Sequence, residues 1–151
     1  MTDSLLSRPQ TSHFTIAPYE LHKDSFIFAN GDRYDGEYII TNEGQVMRHG
    51  HGKHIGVNQQ YIYEGSWNHD KMHGTGQLTF ANGTSYKGEF QSNFYHGIGI
   101  YTWSDGTQYK GLWHNSKPIG KAEYFDSNLG ASFIGMVNEQ GINMRYKLDR
   151  A

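Results

Sequence analysis

Tyr63, Tyr86 and Tyr109 stand 23 residues apart, and the residues around them repeat in register. Glycine follows each two positions later (Gly65, Gly88, Gly111), and a large aromatic four positions later (Trp67, Phe90, Trp113). Eleven positions on, glycine returns as Gly74, Gly97 and Gly120. Gly76 and Gly99 come two residues after that, whereas the unit of Tyr109 carries Ala122 there. Asn82-Gly83 and Asp105-Gly106 close the units. Self-similarity at a short fixed period constrains a chain more than its composition does, because each small unit must bury its apolar side against the next.

Looser copies flank this register. Asn30-Gly31 leads to Tyr34, Gly36, Glu37 and Tyr38, but Gly50-x-Gly52 arrives five residues late, so the stretch from Asn42 to Val46 reads as an insertion. Phe133, Gly135 and Val137 form a degenerate copy, offset by 24 from Tyr109. The organisation that follows is an N-terminal arm at 1–24, a repeated zone at 25–138 and a tail at 139–151. Units lie near 26–56, 61–82, 84–105 and 107–126, with the degenerate one at 131–138. Phe14, Ile16, Pro18, Tyr19 and Leu21 make the arm less polar than a plain tail.

Composition agrees with thin units. The chain has 19 Gly and 11 Tyr, and its Leu, Ile, Val and Phe make up only about a fifth of it, at the lower edge for globular chains. A deep aliphatic core is beyond such a sequence, whereas aromatics lying over glycines are not.

The spacing within a unit is that of strands. A period of two puts Tyr63, Gly65 and Trp67 on one face, and Gly74, Gly76, Leu78 and Phe80 on one face of the next strand. If Ser104, Asp105 and Gly106 make a three-residue hairpin loop with Gly106 left-handed, Trp103 faces Thr107, Tyr101 faces Tyr109, Gly99 faces Gly111 and Gly97 faces Trp113. The same loop at 81–83 pairs Leu78 with Tyr86, Gly76 with Gly88 and Gly74 with Phe90. A slip of one residue would send every side chain to the wrong face. On the opposite face, Thr75, Gln77 and Thr79 meet Glu89, Lys87 and Ser85, whereas one unit later Ile98 meets Leu112 and Ile100 meets Lys110. A polar face turns apolar there.

The segments YEGSWNHDKMHGTG and YKGEFQSNFYHGIG closely resemble the MORN repeat, whose unit reads Tyr-x-Gly-Glu-Trp, a turn, His-Gly-x-Gly and then Asp/Asn-Gly. The resemblance covers most of the chain and is that of a short family member. It implies an all-β fold: an elongated single-layer antiparallel meander of MORN-repeat hairpins, about ten short strands in all. Leu112 departs from the pattern, standing where the family carries Glu.

Several functions find no support in the residues. A formal charge of −2 gives no field for nucleic acid, and cysteine is absent, so no thiolate zinc site or cysteine nucleophile exists. Gly74-Thr75-Gly76 runs into an alternating strand, not the helix that a nucleotide fingerprint opens. Glu64, Glu89 and Glu123 read as solvated side chains. His73 and His96 precede the repeat glycines as the family pattern does, leaving His49, His51 and His54 as the one histidine cluster worth a metal test. MTDSLLSRPQ has no basic end before an apolar stretch, so no signal peptide is read and the expectation is a cytoplasmic chain.

The expected function is therefore non-catalytic, with no cofactor and no metal: a scaffold for protein partners in a larger assembly. The resemblance implies a cilium or flagellum axoneme, or the cytoskeleton. The alternative is a phospholipid-associated adaptor at a membrane surface, which lacks the usual Lys/Arg cluster. Two surfaces are candidates for the partner: the aromatic stripe of Tyr63, Trp67, Tyr86, Phe90, Tyr109 and Trp113, and the apolar patch of Ile98, Ile100 and Leu112 on the other face.

Overall fold

The computed structural model describes residues 20–147. Eleven strands form one sheet in the order of the sequence, each antiparallel to the next. They are β1 (His22–Ile27), β2 (Arg33–Ile40), β3 (Val46–Ile55), β4 (Tyr61–Asn68), β5 (Lys71–Phe80) and β6 (Ser85–Gln91), then β7 (Phe94–Thr102), β8 (Gln108–His114), β9 (Lys117–Asp126), β10 (Ala131–Asn138) and β11 (Gly141–Tyr146). One 3₁₀ turn, Val57–Gln59, links β3 to β4. At the usual strand spacing the sheet is about 48 Å long. The all-β single-layer meander is as the sequence requires.

From β4 to β9 two kinds of hairpin alternate. Three-residue loops close β1–β2, β5–β6 and β7–β8, with Gly31, Gly83 and Gly106 at φ of 89°, 85° and 86°. In each, the glycine N–H donates back across the loop, Gly106 to the Trp103 carbonyl at 3.0 Å for example. The register derived for Tyr101–Tyr109 and Leu78–Tyr86 is the one observed. Three more hairpins, β4–β5, β6–β7 and β8–β9, are two-residue turns at His69-Asp70, Ser92-Asn93 and Asn115-Ser116, with φ positive at both residues. That is the type I′ geometry whose twist matches the strands it joins. The inserted stretch after Ile40 lengthens the β2–β3 hairpin and closes with the same glycine-terminated loop, Gly44 donating to the Thr41 carbonyl at 2.8 Å.

The sheet outruns the repeat pattern at both ends. It starts at His22, and part of the expected tail forms β11, giving eleven strands in place of about ten. No Tyr-x-Gly marks residues 141–146, but Met144 pairs with Gly135 and Tyr146 with Phe133, so the aromatic face continues. Of the expected arm, residues 1–19 lie outside the described residues, and Leu21 is exposed.

One glycine per strand runs across the sheet, from Gly36 through Gly52, Gly65, Gly76, Gly88 and Gly99 to Gly111, each paired with the next. Ala122 and Gly135 complete the row. The aromatic side chains fold down over it, so a sheet with no covering layer still buries Tyr34, Tyr63, Tyr86 and Phe90 to within 2 % of full burial.

Candidate partner-binding groove

The core is a chain of edge-to-face rings. Tyr34, Trp67, Tyr63, Phe90, Tyr86, Trp113 and Tyr109 meet in that sequence, with centroids 5.0 to 5.7 Å apart and planes at 78° to 89°. This arrangement sets each ring's positive edge against its neighbour's negative face. Trp67 and Trp113 also donate from Nε1 to the Gly52 and Gly99 carbonyls, at 3.1 and 3.2 Å. All six residues of the expected stripe therefore lie in the core, at 7 % exposure or less. Tyr109 and Trp113 among them form part of the wall of an open space.

That space is a groove of about 950 Å³ over the C-terminal half of the aromatic face. Tyr95, Tyr101, Trp103, Tyr124, Phe133 and Met144 line it beside Tyr109 and Trp113. The sequence explains its position. Each earlier unit supplies a Tyr and, four residues on, another large aromatic: Tyr38, Trp67, Phe90 or Trp113. The last unit supplies Phe133 and Val137, and Val137 is too small to reach across. Trp103 sits at the rim, 39 % exposed, its ring 4.9 Å from Tyr101 and 6.1 Å from Tyr124. Tyr95 stacks on Tyr86 at 3.8 Å, and burial, then the neighbouring Tyr101, pushes its hydroxyl up to about 12. Burial also raises Tyr109. These hydroxyls stay protonated near neutrality, so the groove offers uncharged, amphipathic rings, with Asp126 as the carboxylate in its lining.

The sequence pattern missed Tyr95, Trp103, Tyr124 and Met144 as groove residues. For Tyr124 a signal was available: the strand-pairing rule carried one strand further puts it opposite Tyr109, as observed. For Tyr95 there was none, because the corresponding position in the previous unit is Met72.

The second expected surface is open. Ile98 is 61 % and Leu112 42 % exposed, paired across β7–β8 as expected, with Ile100 half-buried beside Lys110. They lie on the face away from the aromatic core.

The three clustered histidines do not converge. His54 is buried against the first unit, where it stacks on Tyr61 at 5.6 Å. Its Nδ1 lies 3.0 Å from Arg48 Nη1, and its Nε2 lies 3.2 Å from an Asp32 carboxylate oxygen. A guanidinium can only donate, so Nδ1 accepts, and Nε2 carries the proton and donates it to Asp32. Burial, then the Arg48 charge, holds the His54 pKa below its usual value. His51 is exposed on the opposite side of β3, and His49 packs edge-to-face on His69 at 5.0 Å. Among the described residues no three His, Asp or Glu side chains gather as they would around a metal ion.

A family model for the MORN repeat matches residues 47–61, 63–85 and 86–108. Two of these segments begin on a core tyrosine, and together the three cover less than half of the chain. No curated protein matches the sequence. MORN repeats are generally non-catalytic modules that mediate protein–protein or membrane-lipid interactions.

Proposed function

We propose that this chain is a non-catalytic MORN-repeat scaffold that holds a protein partner on its aromatic face. The observation that carries the reading is the groove at the end of the ring chain. A rigid row of aromatics stops one unit short and leaves Tyr101, Trp103, Tyr124 and Phe133 around an open trough. Aromatic side chains of this kind are the commonest anchors of binding energy. The partner is a segment that inserts apolar side chains between rings and meets tyrosine hydroxyls at its edges. The assembly proposed for it is a ciliary or flagellar axoneme or the cytoskeleton, on the resemblance alone.

The test compares the proteins that co-purify with the native chain and with Trp103→Glu, after circular dichroism has established equal folding. The reading expects a partner that the variant loses. Equal recovery with the variant would contradict the groove as the docking surface. Immunolocalisation to detergent-extracted axonemes tests the location, and a signal confined elsewhere in the cell would remove it.

A further inference from the structure

On the face opposite the aromatic core, the glycine row leaves a shallow trough that crosses the strands. Its floor is backbone at Gly111, Ala122 and Gly135, because the side chain of Ala122 points the other way, into the core. Register fixes the two walls. Lys110, Glu123, Ile134 and Arg145 lie in one row across β8–β11. Ile98 and Leu112 lie in the other, followed by Lys121 and Met136. The space between them is about 740 Å³.

The trough changes character along its length. Over β4–β6 it is polar and of mixed charge, bordered by Glu64, Thr75, Gln77, Lys87 and Glu89. Over β7–β11 it is apolar and basic. Ile98, Met136 and Leu112 are 61 %, 47 % and 42 % exposed. Glu123, the carboxylate in this part, is engaged by Lys147 at 2.7 Å. Among the described residues, Lys110, Lys121 and Arg145 form no ion pair. Three cations thus border exposed aliphatic side chains on a chain whose net charge is −2.

We infer that the trough over β7–β11 is a second docking surface, for an acidic peptide segment that carries both carboxylates and aliphatic side chains. Charge complementarity selects the acid: carboxylates at the spacing of Lys110, Lys121 and Arg145 meet cations that form no ion pair among the described residues. The trough between the walls selects a chain over a flat anionic surface, which would also meet Glu64 and Glu89 on the same face. Four strand intervals are about 19 Å, the span of about six extended residues. This surface is separate from the aromatic groove and does not depend on it.

The test uses the full chain and a fluorescent octapeptide of alternating leucine and glutamate. Controls are the leucine–lysine counterpart and vesicles of phosphatidylserine and phosphatidylcholine. The acidic peptide is expected to bind, and binding is expected to weaken steeply between about 50 and 500 mM salt. The double variant Lys110→Glu/Lys121→Glu should weaken it about tenfold or more. Leu112→Glu, which leaves both cations in place, should weaken it at either salt concentration. Trp103→Glu should leave it unchanged. Absence of peptide binding, equal binding of the leucine–lysine peptide, or equal binding by the charge-reversed variant would overturn the inference. Capture of vesicles without the peptide would assign the surface to lipid and overturn it as well.

Discussion

The tyrosine of each unit does two things. Its ring covers the glycine row, and its hydroxyl donates to the carbonyl three residues on, where the strand bulges. Tyr34 reaches the Glu37 carbonyl at 2.6 Å, Tyr63 that of Ser66 at 2.8 Å and Tyr86 that of Glu89 at 3.0 Å. Register shifts fall at these same places in β2, β4 and β6. Tyr109 breaks the pattern: its hydroxyl is buried and has no partner among the described residues. Tyr86→Phe is therefore expected to cost about 1 kcal/mol of unfolding free energy, while Tyr109→Phe is neutral or slightly stabilising. Urea unfolding of the two variants checks this, and equal losses would contradict the bulge role. The glycines obey a similar distinction. A Cβ on Gly88 would stand 2.5 Å from the Gly99 Cα and 2.6 Å from the Ile98 carbonyl oxygen, both backbone atoms that cannot move aside. On Gly111 the nearest atoms are at 3.0 and 3.1 Å, beside the one place where the row already tolerates alanine. Gly88→Val should cost about 3 kcal/mol or more, the upper end of overpacking. Gly111→Ala should cost clearly less than Gly88→Ala, and thermal unfolding gives the order.

At the scale of the hairpin, a reciprocal clasp ties each unit to the next. The Asn93 N–H donates to the Met72 carbonyl at 3.0 Å, and the Met72 N–H donates to the Asn93 side chain at 2.8 Å. Ser116 does the same with Tyr95, and Asp70 with Arg48. A short polar side chain at the second turn position thus both tolerates the left-handed backbone and satisfies an edge N–H. Asn93→Gly keeps the backbone and loses the acceptor, for an expected cost of about 1 kcal/mol. Asn93→Ala adds the left-handed penalty of about 1 kcal/mol. Ser92→Gly, at φ of 49° and outside the clasp, should not destabilise. A different order in chemical unfolding would remove the clasp. These elements also divide what the sequence reveals from what it does not. Strand pairing at β5–β6 and β7–β8 was legible because a glycine-ended loop fixes register and each slip is punished on both faces. The strand β11 was not, since Ile142, Met144 and Tyr146 alternate without a repeat mark and are placed by Val137, Gly135 and Phe133 across the hairpin. The aromatic stripe was legible as a row but not as a closed core. Spacing gives the face a ring occupies, and only the ring orientations decide how much of it remains open.

For the whole molecule, a one-layer sheet has its core on one face and its openings where the repeat weakens. Its titration follows from that core. Burial raises the pKa values of Tyr34, Tyr63, Tyr86, Tyr95 and Tyr109, so the folded state favours their neutral forms. Their contribution is complete below the unfolded value, about 10, and is lost as pH rises beyond it. Lowered pKa values at His54 and His49 give a contribution present above about 6.5 and lost as pH falls below that value. Stability measured against pH should therefore be flat between these limits and fall on both sides. His54→Gln should shallow the acid limb, and an unchanged limb would show that His54 does not titrate differently on folding. The central claim is that the rings of the first units are sealed while those of the last units stand open for a partner. Hydroxyl-radical footprinting read by mass spectrometry, on the free chain and in its native assembly, tests it in one experiment. Tyr63 and Tyr86 should remain unmodified in both states, and Trp103, Tyr124 and Phe133 should be modified in the free chain and protected in the assembly. Equal modification of Trp103, Tyr124 and Phe133 in the two states, or ready modification of Tyr63 and Tyr86 in the free chain, would contradict it.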